Sequence, residues 1–280
     1  MMNALRPTIG VLIRFSNSAA TLPAVLSALA RQTMQPNVIL GIASNCQDDS
    51  RAILTAHQAT VVEWHDPYAH SRVLNFGLRL LTTDYVLILS SHTVLESPDA
   101  LEQMVTSLSD PSVACVSAKW DSDPYYSDSI DWNEMQLKGL RFGSIYSNSM
   151  GLIRRSLWES LPFDENLPTA EDYAWAVAQL TRGHRCARII TDFSYQRSGV
   201  SREEAFAKVV FAIAQQHQLR VQWLGVRASL KCLLSTRPSK LDPAIGQRLK
   251  VWWISKRHAH NTHSTRPSAS PHELIKWAPR

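Results

Sequence analysis

Two short polar clusters carry the residue types from which chemistry can be built. In LPTAEDYAW, Glu171 and Asp172 set adjacent carboxylates in what reads as the first turn of a helix. A carboxylate held there can take a proton from a hydroxyl as a general base, or it can simply complement the helix dipole. In LILSSHTVLES, residues 87–97, Ser90, Ser91 and His92 close the apolar run Tyr85-Val86-Leu87-Ile88-Leu89. A run of this kind reads as a parallel strand buried on both faces, and open α/β sheets bind ligands at the carboxyl ends of their strands. Serine hydroxyls grip a hard divalent cation poorly, whereas neutral imidazole is an effective ligand for manganese or zinc.

The elements that must position these clusters follow from periodicity. Apolar, β-rich runs predict strands over 8–15, 38–42, 59–64, 85–89 and 113–118. Between them, Leu22, Val25, Leu26 and Leu29 share one helical face behind a Thr21 N-cap, and Val73, Leu74, Leu78 and Leu81 share another. A further helix runs from Pro98 to Leu108. Alternation at this spacing means βαβ units and a mainly parallel sheet. The second half reads as helix over 131–140, extended chain over 144–153, helix over 170–181, strand over 188–195 and helix over 201–217. Ser201 and Glu204 form a capping box for the last. Amphipathic helix is expected from 219 to 257 and a flexible tail over 258–280, where HAHNTHSTRPSASP has linker composition.

At 280 residues, 45% hydrophobic and 19% charged, the chain has an ordinary globular composition, which makes disorder outside its C-terminal part an unsuitable reading. The four cysteines lie far apart with no C-x-x-C pair, against a zinc module or a disulfide framework and in favour of a reducing, cytoplasmic setting. The first residues lack the apolar core of a signal peptide, and no uncharged apolar stretch reaches the roughly 18 residues a bilayer crossing needs. The net charge of +5 is concentrated late, where only Asp242 and Glu273 oppose a series of lysines and arginines after residue 240. In LKVWWISKR, Trp252 and Trp253 stand among Lys250, Lys256 and Arg257. That mixture suits peripheral docking on the inner face of the cell membrane, and equally a helix packing its tryptophans on the protein. No nucleic-acid module precedes the tail, and no nucleic-acid partner is expected.

The order of pieces resembles family 2 glycosyltransferases. The resemblance runs over roughly residues 8–197, through TIGVLIRFSNSAATLPAVLSALARQT, HSRVLNFGL, YVLILSSHTVL and SNSMGLIRRSLWESLPFDENLPTAEDYAWAVAQLTRGH. It implies an α/β, GT-A-type domain over 1–218, a Rossmann-like, mainly parallel sheet flanked by helices, with a C-terminal helical extension. It further implies an inverting enzyme of polysaccharide biosynthesis. A hexosyl or deoxyhexosyl group would pass from a nucleotide-diphosphate sugar donor to a glycan or lipid-linked acceptor. A catalytically inactive relative binding a glycan, nucleotide or partner protein is the alternative.

Carried onto this sequence, the resemblance makes Asp172 the base, with Glu171 beside it. Ser90, Ser91 and His92 stand where the family carries its acidic D-x-D motif, so His92 becomes a metal ligand or a direct donor to the diphosphate. A divalent metal, Mn or Mg, is therefore left open. Donor contacts are expected from Arg14, where many relatives have proline, and from Ser44 and Asn45, where an acidic residue is common. Arg72 and Asn75, in the matched helix, complete that set. Trp120, Asn148 and Trp175 are the expected acceptor or sugar-pocket residues. Tyr195, Gln196 and Arg197 replace a late histidine that the family often places near the metal.

Overall fold

The computed structural model describes residues 6–119, 125–141, 145–195 and 203–222. In chain order its elements are β1 (Ile9–Phe15), α1 (Leu22–Ala30), β2 (Val38–Ser44), α2 (Ser50–Ala56), β3 (Thr60–Trp64), α3 (His70–Leu80), β4 (Tyr85–Ser90) and β5 (Thr93–Leu95). There follow α4 (Ala100–Leu108), β6 (Val113–Lys119), β7 (Ser129–Ile130), α5 (Trp132–Lys138), β8 (Leu140–Arg141), β9 (Met150–Arg154) and α6 (Arg155–Ser160). The last are α7 (Glu171–Thr181), β10 (Arg185–Ile190), β11 (Phe193–Tyr195), α8 (Glu203–Gln216) and β12 (Val221–Gln222).

Eight strands make one sheet in the order β3-β2-β1-β4-β9-β6-β10-β7. The first four are mutually parallel, and β10 is parallel to β6. The expected α/β architecture is thus present, with helices connecting the parallel strands. Strand β9 runs antiparallel to both β4 and β6. That reversal matters for function, because it brings the amino end of β9 to the carboxyl end of β4, the edge where such sheets bind ligands.

The core sits where the sequence is most continuously apolar. Every residue of β4 is buried, as are Val11, Leu12 and Ile13 of β1 beside it. Burying each such side chain is worth about 1.5–3 kcal/mol. Helix α3 lies close against the sheet because Gly77 carries no side chain: a Cβ there would stand 2.5 Å from Leu12 Cδ1.

Several elements differ from the sequence reading for local reasons. Thr21 makes no side-chain cap for α1; its Oγ1 donates instead to the Ser91 carbonyl at 2.6 Å. The strand expected over 188–195 is two strands, because Asp192 turns the chain and its carbonyl accepts from Glu96 N–H at 2.9 Å, so that β11 pairs with β5 in a separate small sheet. Helix α5 stops at Lys138, before Gly139 with φ 82°. Of the extended stretch over 144–153 only 150–153 joins the sheet, as part of β9. Helix α2 was not anticipated, its seven residues giving too short a periodic signal.

The described residues fall into two units. One holds 6–119, 125–132, 145–165 and 171–195, with the eight-stranded sheet and every site residue discussed below. The other holds 133–141, 166–170 and 203–222, where β12 pairs in parallel with β8 and the Leu140 N–H donates to the Arg220 carbonyl at 2.6 Å. The expected boundary at 218 falls inside this second unit. The tryptophan-rich tail, the segment 258–280 expected to be flexible, Ser201, Trp120, Gln196 and Arg197 lie outside the described residues. Among the described residues no helix is long and apolar enough to cross a membrane.

Candidate active site

Three strand ends converge in the first unit. Arg14 is the penultimate residue of β1 and pairs in register with Ser90, the last residue of β4. The Ser90 N–H donates to the Ser149 carbonyl at 2.9 Å, and Ser149 lies in the turn that enters β9. Within that turn Ser149 N–H donates to Ser147 Oγ at 3.2 Å. The antiparallel course of β9 is what delivers Ser147-Asn148-Ser149 to this edge.

Asn148 then joins the strand ends to the carboxylate pair. Its backbone N–H donates to Asp172 Oδ2 at 3.1 Å, and its side-chain Nδ2 donates to Glu171 Oε1 at 3.3 Å. The N–H of Tyr173 donates to the other oxygen, Asp172 Oδ1, at 2.8 Å. Asn148 is buried and its Oδ1 has no partner. Glu171 is buried at 6% exposure, whereas Asp172 is half-buried and keeps part of its surface open.

Burial raises the Asp172 carboxyl to about 7, and the adjacent Glu171 charge adds to the rise; the two backbone donors and the Arg14 charge oppose it. An acid of ordinary strength has thereby become a base suited to neutral pH. Beneath it lies Tyr146, whose buried hydroxyl has no partner and whose ionisation is pushed well up by burial. Gly151 makes room for that ring, since a Cβ there would collide with Tyr146 Cε2 and the Ser147 carbonyl.

On the opposite side of the edge, the polar loops are stitched together. Ser18 Oγ and Ser91 Oγ share a hydrogen bond of 2.9 Å, and Asp48 accepts from Ala19 N–H at 2.8 Å and from Ser50 Oγ at 2.5 Å. The Ser50 hydroxyl is the leading cause of the fall of Asp48 to about 2. His92, half-buried next to Ser91, is held below its ordinary value by burial and by the Arg14 charge, so it is a neutral imidazole at pH 7.

The expected site residues therefore divide. Arg14, Ser90, His92, Asn148, Glu171 and Asp172 are brought together. Ser44 is buried at the end of β2 with its Oγ unpartnered, and Asn45 is exposed in a left-handed turn with φ 47°. Arg72 is exposed on the first turn of α3.

Three expectations give way to structural roles. Asn75 is buried, and its Nδ2 donates to the Phe163 carbonyl at 2.8 Å and Glu165 Oε1 at 2.9 Å. Its Oδ1 accepts from Trp158 Nε1 at 2.9 Å and Phe163 N–H at 3.1 Å, which uses the whole hydrogen-bonding capacity of the amide. Trp175 is 2% exposed, donates to the Leu161 carbonyl at 2.7 Å and packs on Phe163 and Tyr146, so it supports the site from within the core rather than lining a sugar pocket. Ser91 ties the β4 loop to α1 through Ser18 and Thr21. Sequence reasoning missed Tyr146 and Gly151; the small residue following Ser147-Asn148-Ser149-Met150 is the one signal that pointed to a crowded backbone there.

Among the described residues no three of His, Cys, Asp or Glu come together. Among the described residues His92 stands beside a serine already bonded to Ser18, and the carboxylates of Glu171 and Asp172 are engaged with Asn148. That set does not fit a tightly held divalent cation.

Comparison with known proteins identifies the family and the fold. The model of the family described as glycosyl transferase family 2 matches residues 11–162. The O-antigen chain rhamnosyltransferase RfbN of Salmonella typhimurium is 26% identical over 208 residues, 67% of this chain and 66% of its own length. The O-antigen chain rhamnosyltransferase WbaN of Salmonella anatum is 26% identical over 177 residues, 57% of this chain and 56% of its own. The chain thus spans just under two thirds of the first of these curated relatives and little more than half of the second. Among solved structures, glucosyl-3-phosphoglycerate synthase from Mycobacterium tuberculosis, in complex with Mn2+, UDP-glucose and phosphoglyceric acid, superposes with a TM-score of 0.60 at 16% identity, covering 79% of this chain and 83% of that one. The mannosyltransferase PcManGT from Pyrobaculum calidifontis, in complex with GDP-Man and Mn2+, gives 0.57 at 18% identity, covering 98% and 79%. At these identities the structural likeness is one of fold.

Proposed function

Because the chain belongs to glycosyl transferase family 2, we propose that it moves a hexosyl or deoxyhexosyl group from a nucleoside-diphosphate sugar to a hydroxyl of a glycan or lipid-linked acceptor. Rhamnose is the first sugar to try, since both curated relatives are named for it. The observation that carries the reading is the Asp172 carboxylate, tethered by the Asn148 N–H at the carboxyl edge of the sheet and partly open to solvent.

In the reaction, Asp172 takes the acceptor hydroxyl's proton as its oxygen attacks the anomeric carbon. The bond from that carbon to the diphosphate oxygen breaks, the electron pair leaves with the nucleoside diphosphate, and the new bond forms on the opposite face. Glu171, anchored by Asn148 Nδ2, keeps a second negative charge beside the base and so favours its protonated state once the proton arrives. Ser44, Asn45 and Arg72 stand as contacts to the nucleoside half of the donor. His92, neutral, serves as a hydrogen-bond partner to the diphosphate.

The test is to incubate the protein with UDP-, GDP- and dTDP-sugars and a glycan acceptor, then follow diphosphate release and the anomeric proton of the product by NMR. Transfer with inverted configuration is expected; retained configuration contradicts the role given to Asp172.

A second reading has its own observation. With serine at position 90 and histidine at 92 the motif lacks the family's carboxylates, which suits a relative that binds a nucleotide or glycan without turnover. Binding with no transfer from any donor selects it.

We place the protein at the cytoplasmic face of the membrane, with Trp252, Trp253 and the lysines around them touching anionic lipid. Co-sedimentation with vesicles containing phosphatidylglycerol, lost on substituting both tryptophans, is the expected result.

A further inference from the structure

Arg14 is a cation in an unusual setting. It lies at the carboxyl end of β1, half-buried, and its Nη1 is buried with no hydrogen-bond partner. No ion pair neutralises it among the described residues. A guanidinium stays charged at any physiological pH and offers donors in a fork that matches two phosphate oxygens at once. A half-buried cation whose Nη1 donor is buried and unused calls for an anion.

The neighbours show which anion. Arg14 and Ser90 are in register on adjacent parallel strands, so their side chains leave the same face of the sheet side by side. A carboxylate at 90 would pair with Arg14 and cancel its charge; serine leaves the charge available. His92 feels that charge and adds none of its own. Asp172 also lies within its field. Serine stands where the resemblance to family 2 puts the first carboxylate of the acidic motif, and a fixed cation stands beside it.

Resting on the transferase reading, we infer that Arg14 holds the diphosphate of the sugar donor and takes up the charge that develops on it as the glycosidic bond breaks, in place of a tightly bound divalent metal. Arginine at 14 and serine at 90 then form one exchange: a metal held by carboxylates for a cation supplied by the chain. The leaving group keeps its electron pair, Arg14 gives up no proton, and its role is electrostatic.

Calorimetric titration of UDP, GDP and dTDP tests the inference, first in EDTA and then with Mn2+, using wild type, Arg14→Lys, Arg14→Gln and Ser90→Asp. The expected result is binding of at least one diphosphate in EDTA, little altered by Mn2+, weakened tenfold or more by Arg14→Gln and less by Arg14→Lys. Ser90→Asp, which pairs Arg14 internally, should weaken binding in EDTA to a similar degree. It also serves if Arg14→Gln does not fold. Binding that requires Mn2+ and is indifferent to position 14 overturns the inference while leaving the transferase reading standing. Failure of every diphosphate to bind under both conditions overturns both.

Discussion

The backbone N–H of Asn148 donates to Asp172 Oδ2 at 3.1 Å. This one bond joins the turn before an antiparallel strand to the first turn of a helix more than twenty residues later, and it fixes the carboxylate at the ligand-binding edge of the sheet. Because the donor is main chain, substitution at 148 leaves it in place and alters only what the side chain does.

Replacing Asn148 with Asp should therefore test the electrostatics of the pair. A third carboxylate beside Glu171 and Asp172 raises the Asp172 carboxyl further. The acid limb of kcat/KM should move to higher pH, with activity at pH 7 lowered by about tenfold for each unit the limb moves. A profile unchanged in shape and merely scaled down would point to a steric effect instead.

The pH dependence of stability carries a sign that separates Asp172 from an ordinary acid. Its folded carboxyl lies near 7 against an ordinary value of 3.8. Between those values the folded chain holds a proton that the unfolded chain has lost, so this group's contribution favours folding below about pH 4 and is lost as pH rises through 7. Asp172→Asn removes that penalty while keeping an oxygen for the Asn148 N–H. Its melting temperature at pH 8 should exceed that of wild type, by a free energy on the order of a few kcal/mol, and the gap should be clearly smaller at pH 5, closing near pH 4. Equal melting at both pH values would count against the raised carboxyl.

Gly151→Ala addresses the packing under the site. The added methyl meets the Tyr146 ring and the Ser147 carbonyl. Destabilisation of about 1–3 kcal/mol is expected from overpacking, together with a loss of activity beyond what the residual folded fraction explains, because the displaced turn is the one that holds Asp172. Thermal melts with activity measured well below the transition separate the two effects.

Asn75→Ala tests a structural role against a donor contact. Its loss strands Trp158 Nε1, the Phe163 N–H and the Phe163 carbonyl in the interior, at a cost of about 1–3 kcal/mol for a buried unpaired group. Stability should fall while KM for the donor stays as in wild type. A raised KM with unchanged stability would restore the donor contact.

Much of this arrangement was legible in the sequence, and its gaps have physical causes. The buried run ending at Ser90 and the helix that holds Glu171 follow from periodicity, and so does the edge at Ser90; that Glu171 sits on that edge came from the resemblance to family 2 glycosyltransferases. The antiparallel sense of β9 does not: Met150–Arg154 is a short apolar run, and such a run reads the same in either direction. With it went the convergence of Asn148 on Asp172, a contact between segments that no local pattern records. Asn75 and Trp175 were misassigned for a related reason. An amide and an indole on matched helices carry the same letters whether they face a ligand or a neighbouring loop, and only the partners at Phe163 and Leu161 decide between them.

The most direct measurement is turnover by Asp172→Asn, with donor and acceptor at saturation, alongside calorimetry showing that nucleoside diphosphate binding is intact. The expected result is a fall in kcat of a hundredfold or more, the size of effect typical for loss of a general base, with binding within about threefold of wild type. Turnover near the wild-type rate with binding intact would show that the proton goes elsewhere and that Asp172 is not the base.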